Sequence, residues 1–158
     1  MTLLPLLASA QQFLFGYFSY DSVFQAMPEY ALAQGQIEDL RLKYDAELKR
    51  AEQEFNKKYE DFLEGQNDFA PSIREKRQAE LRDLMEKNVT FKQEAERLLK
   101  QAEEEAYAPL HEKLTAVLKI VGKDRGYAFI LNTDNNSLPF VDDNRGEDIN
   151  TLLKETLK

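Results

Sequence analysis

Apolar or small side chains recur at intervals of three or four residues between residues 37 and 62. The positions are Ile37, Leu40, Tyr44, Leu48, Ala51, Phe55, Tyr59 and Phe62. Most of the residues between them are charged or carry an amide. The spacing repeats every 11 residues, or about 3.67 residues per turn, and it predicts a nearly straight helix with one apolar face.

A second helical pattern follows a short break at residues 65–71, whose sequence is GQNDFAP. Gly65 suits a helix end, and Pro71 suits the first turn of a new helix. The apolar positions of the second helix are Leu81, Leu84, Val89, Phe91, Ala95, Leu98, Ala102, Ala106, Leu110, Leu114, Val117 and Val121. Gly122 is expected to lie just past its end. Two helices around one short bend predict a long antiparallel hairpin.

Two prolines are predicted to mark the root of this hairpin. If the bend is centred between Asp68 and Phe69, Pro28 lies opposite Pro109. Proline weakens a helix because it lacks an amide hydrogen and crowds the preceding turn. We therefore expect a joint at this level, with residues 28–109 forming an arm whose bend is at residues 65–71.

Strand-like segments stand outside the hairpin. Residues 13–20 are rich in aromatic side chains, and residues 127–132 and 138–142 have the composition of strands. Asn- and Asp-rich residues between the last two segments indicate a turn. The predicted fold class is α+β, mainly α: a helical hairpin on a small β-strand base formed by residues 11–27 and 110–158.

Two short helices are expected in this base. Asp21 or Ser22 can begin the first, and Asp148 or Asn150 can begin the last. Three short strands with two short helices bury too little surface to stand alone. The sequence therefore predicts that several copies of the base associate.

Charge and composition limit the classes of function that the chain can have. Of 158 residues, 32% are charged, the mean hydropathy is −0.60, and 29 acidic against 21 basic side chains give a net charge of −8. This balance argues against nucleic acid as a partner and against attraction to an anionic membrane surface. The chain has no cysteine and one histidine, His111, and the acidic run at residues 103–105 suits a solvated helix. We expect no catalytic residues, no metal and no cofactor.

The first ten residues, MTLLPLLASA, have the pattern of a secretory signal. Leu3 to Leu7 form a short apolar core, and Ala8, Ser9 and Ala10 fit the small-x-small cleavage pattern. Residues 1–10 are therefore interpreted as the remnant of a signal peptide. The alternative is an apolar terminus without regular structure.

Three segments in this order resemble the Skp/OmpH-like periplasmic chaperones of Gram-negative bacteria. The first is FGYFSYDSVF at residues 15–24, followed by MPEY at residues 27–30. The second is GYAFILN at residues 126–132, and the third is DINTLL at residues 148–153. Each motif is weak alone, whereas their order around a charged hairpin is specific.

The resemblance implies a homotrimer in the periplasm. Strands of three chains would form a central barrel, and three hairpins would surround a cavity that holds unfolded outer-membrane proteins without ATP. One feature departs from the family pattern. The arms of the best-known members are basic, whereas residues 29–121 here carry 16 basic and 21 acidic side chains. A tethering coiled-coil protein of the envelope with one folded partner is the alternative function.

Three sets of residues are candidates for roles in this scheme. The candidate client-binding residues near the bend are Phe55, Tyr59, Phe62, Leu63, Phe69 and Ile73; Phe55, Tyr59 and Phe62 could instead pack the two helices together. The candidate residues of the base core or subunit interface are Phe13, Phe15, Tyr17, Phe18, Phe129, Ile130 and Phe140. The candidate joint residues are Pro28 and Pro109.

Overall fold

A computed structural model describes residues 13–142 and 144–158. The interpretation of residues 1–10 as a signal-peptide remnant falls outside the described residues. The elements in chain order are β1 (Phe15–Phe18), α1 (Tyr20–Gln25), α2 (Pro28–Gly65), α3 (Pro71–Asp124), β2 (Ile130–Asn132), a 3₁₀ turn (Asp134–Asn136), β3 (Gly146–Asp148) and α4 (Asn150–Thr156). Two long helices around one short loop, with a small three-stranded sheet, confirm the predicted fold class.

The chain divides into two compact units. The hairpin unit is Leu32–Tyr107, and the base unit contains the described residues up to Ala31 together with Ala108–Lys158. The boundaries therefore fall close in sequence to Pro28 and Pro109. The role of these prolines as a joint stays a prediction.

Burial along α2 follows the predicted apolar face. Ile37 and Phe62 are buried, the positions between them are mostly half-buried, and Tyr59 is 45% exposed. Charged positions of the same helix are exposed and form ion pairs along it, such as Arg50 with Glu47 and Glu54. Such pairs stabilise a helix that has solvent on most of its sides.

The two helices of the hairpin unit meet along one seam. The rings of Tyr44 and Phe91 have centroids 6.2 Å apart in an edge-on arrangement. The Asn88 side-chain amide donates to the carbonyl of Ala51 at 3.2 Å. The predicted seam position Val89 is wrong: it is 53% exposed. Successive residues of a helix are rotated by about 100° around its axis. The half-buried Asn88 therefore lies in the seam, and Val89 faces outward.

The sheet of the base unit is parallel throughout and has the order β2-β1-β3. Gly16 of the central strand pairs with Ile130 on one side and with Glu147 on the other. Alternation along β1 buries Gly16 and Phe18 more deeply than Phe15 and Tyr17. The apolar core beside the sheet is formed by Phe18, Val23, Phe24, Met27, Leu110, Leu114, Val121, Ile149, Leu153 and Leu157.

The predicted third strand at residues 138–142 is wrong. The structure leaves this segment without regular structure and forms β3 at Gly146–Asp148 instead. Pro139 has no amide hydrogen to donate to a neighbouring strand. Gly146 suits the first position of β3, because a Cβ there would stand 2.6 Å from the ring of Phe15. Phe140 is 80% exposed and is not part of the base core.

The start of α1 and the end of α3 differ from the sequence prediction. Helix α1 begins after Ser19, whose hydroxyl accepts from the Ser22 amide at 3.1 Å, so neither Asp21 nor Ser22 is its cap. Helix α3 continues past Gly122 to Asp124. Gly126, with φ of +67°, makes the left-handed turn that was assigned to Gly122.

Helix α4 begins at Asn150, and its N-cap is Ile149 rather than Asp148 or Asn150. The Asp148 carboxylate accepts from the Asn150 backbone amide at 2.9 Å, and the Asn150 side-chain oxygen accepts from the Ser19 amide at 3.0 Å. This bond links the start of α4 to the cap of α1. No helix among the described residues is long and apolar enough to cross a membrane.

Candidate functional site

The six candidate client-binding residues divide into three groups by exposure. Phe62 is 7% exposed and packs inside the hairpin, as the alternative interpretation expected. Phe55 and Phe69 are half-buried. Tyr59, Leu63 and Ile73 are each almost half exposed. The surface near the bend therefore carries apolar side chains over a partly covered aromatic interior.

A group of four residues, here called the tip cluster, closes the end of the hairpin. It consists of Phe62, Gly65, Phe69 and Arg77. The rings of Phe62 and Phe69 have centroids 6.2 Å apart at an angle of 44°. The guanidinium carbon of Arg77 lies 4.6 Å from the centroid of the Phe69 ring. This distance is within the range of a cation–π contact.

Arg77 is a site residue that sequence reasoning missed. Most of its neighbours in sequence are charged or polar. The sequence therefore predicts only a solvated residue on a charged helix. Its contact with Phe69 depends on the path of residues 66–70, which connect α2 to α3. No periodic signal specifies that path.

Two clefts lie along the seam of the hairpin unit. The first adjoins the tip cluster and is lined by Phe62, Ile73, Arg77 and Leu81, with Lys58, Asp61, Lys76 and Glu80 also at its walls. The second is lined by Leu48, Glu52, Phe55, Met85, Asn88, Val89 and Lys92. Met85 and Val89 are each 53% exposed there. Met85 is not among the apolar positions expected from the sequence, because it lies off their spacing.

Many charged side chains of the hairpin unit form ion pairs within their own helix. Hydrogen bonds from Arg50 lower the pKa of Glu47, and hydrogen bonds from Arg97 lower the pKa of Glu94. The Asp83 carboxylate raises the pKa of Lys87. Cations that already have intramolecular partners attract a distant anion weakly. The exposed apolar side chains are the more distinctive feature of this surface.

Comparison with known proteins identifies the family. A sequence model of the outer membrane protein (OmpH-like) family matches residues 15–157. The chain belongs to the OmpH-like family. This confirms the resemblance inferred from the sequence motifs.

Solved structures and curated sequences give different results for this OmpH-like chain. Its fold is similar to the crystal structure of an OmpH-like protein from Caulobacter crescentus, a candidate outer membrane chaperone, with a TM-score of 0.76. The two sequences are 13% identical, and the match covers 99% of this chain and 88% of that chain. At this identity the similarity concerns the fold alone. No curated protein matches the chain.

The base unit of the OmpH-like chain places the predicted aromatic residues in different surroundings. Phe18 is 3% exposed and lies in the core, whereas Phe13 is 67% exposed. Phe15 stacks on Phe129 with centroids 5.5 Å apart, and Phe129 is still 49% exposed. Tyr17 and Ile130 are half-buried. Phe129 is thus an apolar surface residue beside the β2 edge of the sheet.

Near the predicted joint, α1, α2 and α3 contact one another within the base unit. The ring of His111 stacks on Phe24 with centroids 4.3 Å apart, and its Nδ1 lies 2.6 Å from the Tyr20 hydroxyl. Glu29 forms an ion pair with Lys113. Helix α3 runs through Pro109 without ending. The contacts of His111 lie on the base side of both prolines, whereas Glu29 directly follows Pro28 in α2.

Proposed function

We propose that this OmpH-like protein is an ATP-independent chaperone that holds unfolded outer-membrane proteins in the periplasm. The observation that carries the proposal is the set of exposed apolar side chains on the hairpin unit. They are Leu32, Leu42, Tyr59, Leu63, Ile73, Met85 and Val89. Membership of the family supports a chaperone role in general.

Such a surface suits a client without fixed structure. Covering a half-exposed side chain is worth about 0.8–1.5 kcal/mol, since full burial of a large apolar side chain gives about 1.5–3 kcal/mol. Each contact is therefore weak and easily exchanged. Several weak contacts on one molecule retain a long chain through effective concentration, without selecting one sequence.

We further propose that the working form is a homotrimer. Within the described residues, β2 and β3 each pair with β1 alone, so the small sheet has two open edges. Open edges favour pairing with another copy. Three hairpin units around a common base would enclose a cavity for the client.

An envelope tether with one folded partner is the alternative function. A tether needs one complementary surface, whereas the exposed apolar residues are distributed along both helices of the hairpin unit. This distribution favours an extended and variable partner. No catalytic step is part of the proposed function.

The test is suppression of aggregation. Several unrelated outer-membrane β-barrel proteins are diluted from urea with the purified protein at stoichiometric ratios, and light scattering is recorded. We expect suppression for all of them, persisting at about 1 M salt because apolar capture is not screened. The double substitution Met85→Ser and Val89→Ser should weaken client affinity about fivefold or more.

Charge substitutions on the same helix provide the control. Lys100→Gln and Glu103→Gln change exposed charged side chains and should leave suppression unchanged. Scattering equal to buffer alone would refute the chaperone proposal. Saturable binding of one folded envelope protein, with no effect on the diluted barrels, would establish the tether instead.

A further inference from the structure

The hairpin tip contains a site that is filled by the protein's own loop. Phe69 belongs to the loop of residues 66–70, and its ring lies directly against the backbone of Gly65. A Cβ built on Gly65 would stand 2.5 Å from Cζ of Phe69, which is closer than such atoms approach. Glycine therefore leaves the space that the ring occupies.

The remaining walls of this site match an aromatic ring. Phe62 lies beside the ring of Phe69 and is itself 7% exposed. Arg77 places its guanidinium over the ring face. An aromatic ring gains from an aromatic neighbour and from a cation over its face, and an aliphatic side chain gains from neither in the same way.

The loop is anchored on both sides of Phe69. The Asp68 amide donates to the Gly65 carbonyl at 3.0 Å. The Ala70 carbonyl accepts from the amides of Ile73 and Arg74 at 2.9 Å and 3.0 Å. A rotation about the side-chain bonds of Phe69 would move the ring out of the site without breaking either anchor.

A route into the site is present next to it. The cleft lined by Phe62, Ile73, Arg77 and Leu81 shares two walls with the tip cluster. Its volume is about 440 Å³, which is more than one aromatic side chain requires. A bound chain lying in this cleft would present its side chains to the position that Phe69 now fills.

We infer that the tip cluster is a binding site for an aromatic side chain of an unfolded client, and that Phe69 is its intramolecular competitor. The inference rests on the proposed chaperone function. In the free protein Phe69 covers Phe62 and keeps the tip closed. When a client supplies an aromatic ring, Phe69 leaves and Arg77 moves from one ring to the other.

The first test measures affinity for a defined probe. The probe is a fluorescein-labelled ten-residue peptide with two phenylalanines, and the matched peptide has leucines at those positions. Phe69→Ala should bind the phenylalanine peptide more tightly than the wild-type chain in fluorescence anisotropy. If Phe69 fills the site about nine-tenths of the time, the gain is about tenfold. The leucine peptide should show a smaller gain.

A second substitution tests the role of Arg77. In the Phe69→Ala background, Arg77→Ala should reduce affinity for the phenylalanine peptide about two- to fivefold, and Arg77→Lys should retain part of that affinity. The leucine peptide should respond to neither substitution. This difference separates a cation–π contact from a general loss of packing.

A glycine pair provides the matched control. In the Phe69→Ala background, Gly65→Ala places a Cβ in the space that the client ring would enter, and it should reduce affinity for the phenylalanine peptide. Gly35→Ala is the same change in the same helix with open space around the new Cβ, and it should leave binding unchanged. Circular dichroism confirms that the helical content of each variant is retained.

The outcomes are distinct. If Phe69→Ala binds the phenylalanine peptide no more tightly than the wild-type chain, Phe69 does not compete and the inference is wrong. The aggregation assay of the wild-type chain is independent of this result. If the wild-type chain suppresses aggregation but Phe69→Ala shows no gain in affinity, the proposed function stands and Phe69 is not a competitor.

Discussion

At the residue scale, Asp134 shows how one carboxylate connects two parts of the base unit. Its Oδ2 accepts from the Asp21 amide in the first turn of α1 at 3.0 Å. A hydrogen bond with Ser19, followed by the Asp21 backbone bond, holds the pKa of Asp134 below its usual 3.8. The charge lies at a helix N-terminus, where negative charge is favourable.

We predict that Asp134→Asn lowers stability at neutral pH. A charge at a helix N-terminus is worth about 0.3–1 kcal/mol, and because Asp134 is only half-buried the loss should be near the lower value. The folded-state pKa is lowered, so the contribution is complete above the unfolded pKa and disappears as the pH falls through the folded pKa. Urea unfolding of both chains should therefore differ at about pH 7 and coincide at about pH 2.

Asp142→Asn is a suitable control for this pH dependence. Asp142 lies in the same connecting region but contacts its neighbours Asn144 and Arg145. Its substitution should not change the contact between Asp134 and α1. A difference between wild type and Asp134→Asn that stays constant down to about pH 2 would contradict an electrostatic role.

At the element scale, the seam between α2 and α3 depends on one polar residue among apolar ones. Asn88 reaches across to the Ala51 carbonyl, one of the few side-chain bonds between the helices of the hairpin unit. A single polar residue in an apolar helical seam fixes register at a cost in stability. Asn88 is therefore a candidate register residue.

We predict that Asn88→Leu raises stability by about 1 kcal/mol, because leucine adds buried apolar area at the seam. The measurement is the urea midpoint followed by circular dichroism. Gln93→Leu makes the same kind of change at an exposed position and should leave the midpoint unchanged. A lower midpoint for Asn88→Leu would mean that the hydrogen bond outweighs the apolar packing.

Elements with a strong local signal could be predicted from the sequence. The bounds of α2 follow from Pro28 and Gly65, and its apolar repeat predicts its buried face. In contrast, β3 has the sequence Gly-Glu-Asp, which has low intrinsic strand preference. It is a strand because β1 offers it backbone partners, and such partners become visible only once the chain is folded.

The aromatic part of the candidate site could also be predicted, because it too has a local signal in the sequence. Apolar spacing indicated that aromatic residues gather near the bend, and Phe62 and Phe69 do so. It could not indicate that Arg77 lies over Phe69, since that contact depends on the loop path. It also assigned the seam to Val89, although Asn88 lies there. The spacing of apolar positions cannot predict a polar side chain that spans the seam.

At the scale of the whole molecule, the base unit combines a small sheet with exposed apolar side chains. The three strands contain four, three and three residues. Phe129 beside β2 and Ile120 near the end of α3 are each about half exposed. So small a sheet with exposed apolar neighbours is expected to gain stability from other copies.

We predict a trimeric mass in sedimentation equilibrium at micromolar concentration. Phe129→Asp should shift the mass toward the monomer, because a charge would be buried at the proposed interface. Leu42→Asp makes an equivalent change on the hairpin unit and should leave the mass unchanged. A monomeric wild-type chain would remove the proposed cavity.

The pairing of β1 with both β2 and β3 has a consequence for the time course of folding. Phe15–Phe18 needs partners from the last part of the chain, whereas the hairpin unit is continuous in sequence. Contacts between neighbouring segments form quickly, and contacts between distant segments form slowly. We expect the hairpin unit to form first. The formed hairpin would shorten the search of β1 for its partner strands β2 and β3. The sheet, and any assembly that depends on it, would then wait until the C-terminal residues have been synthesised and released.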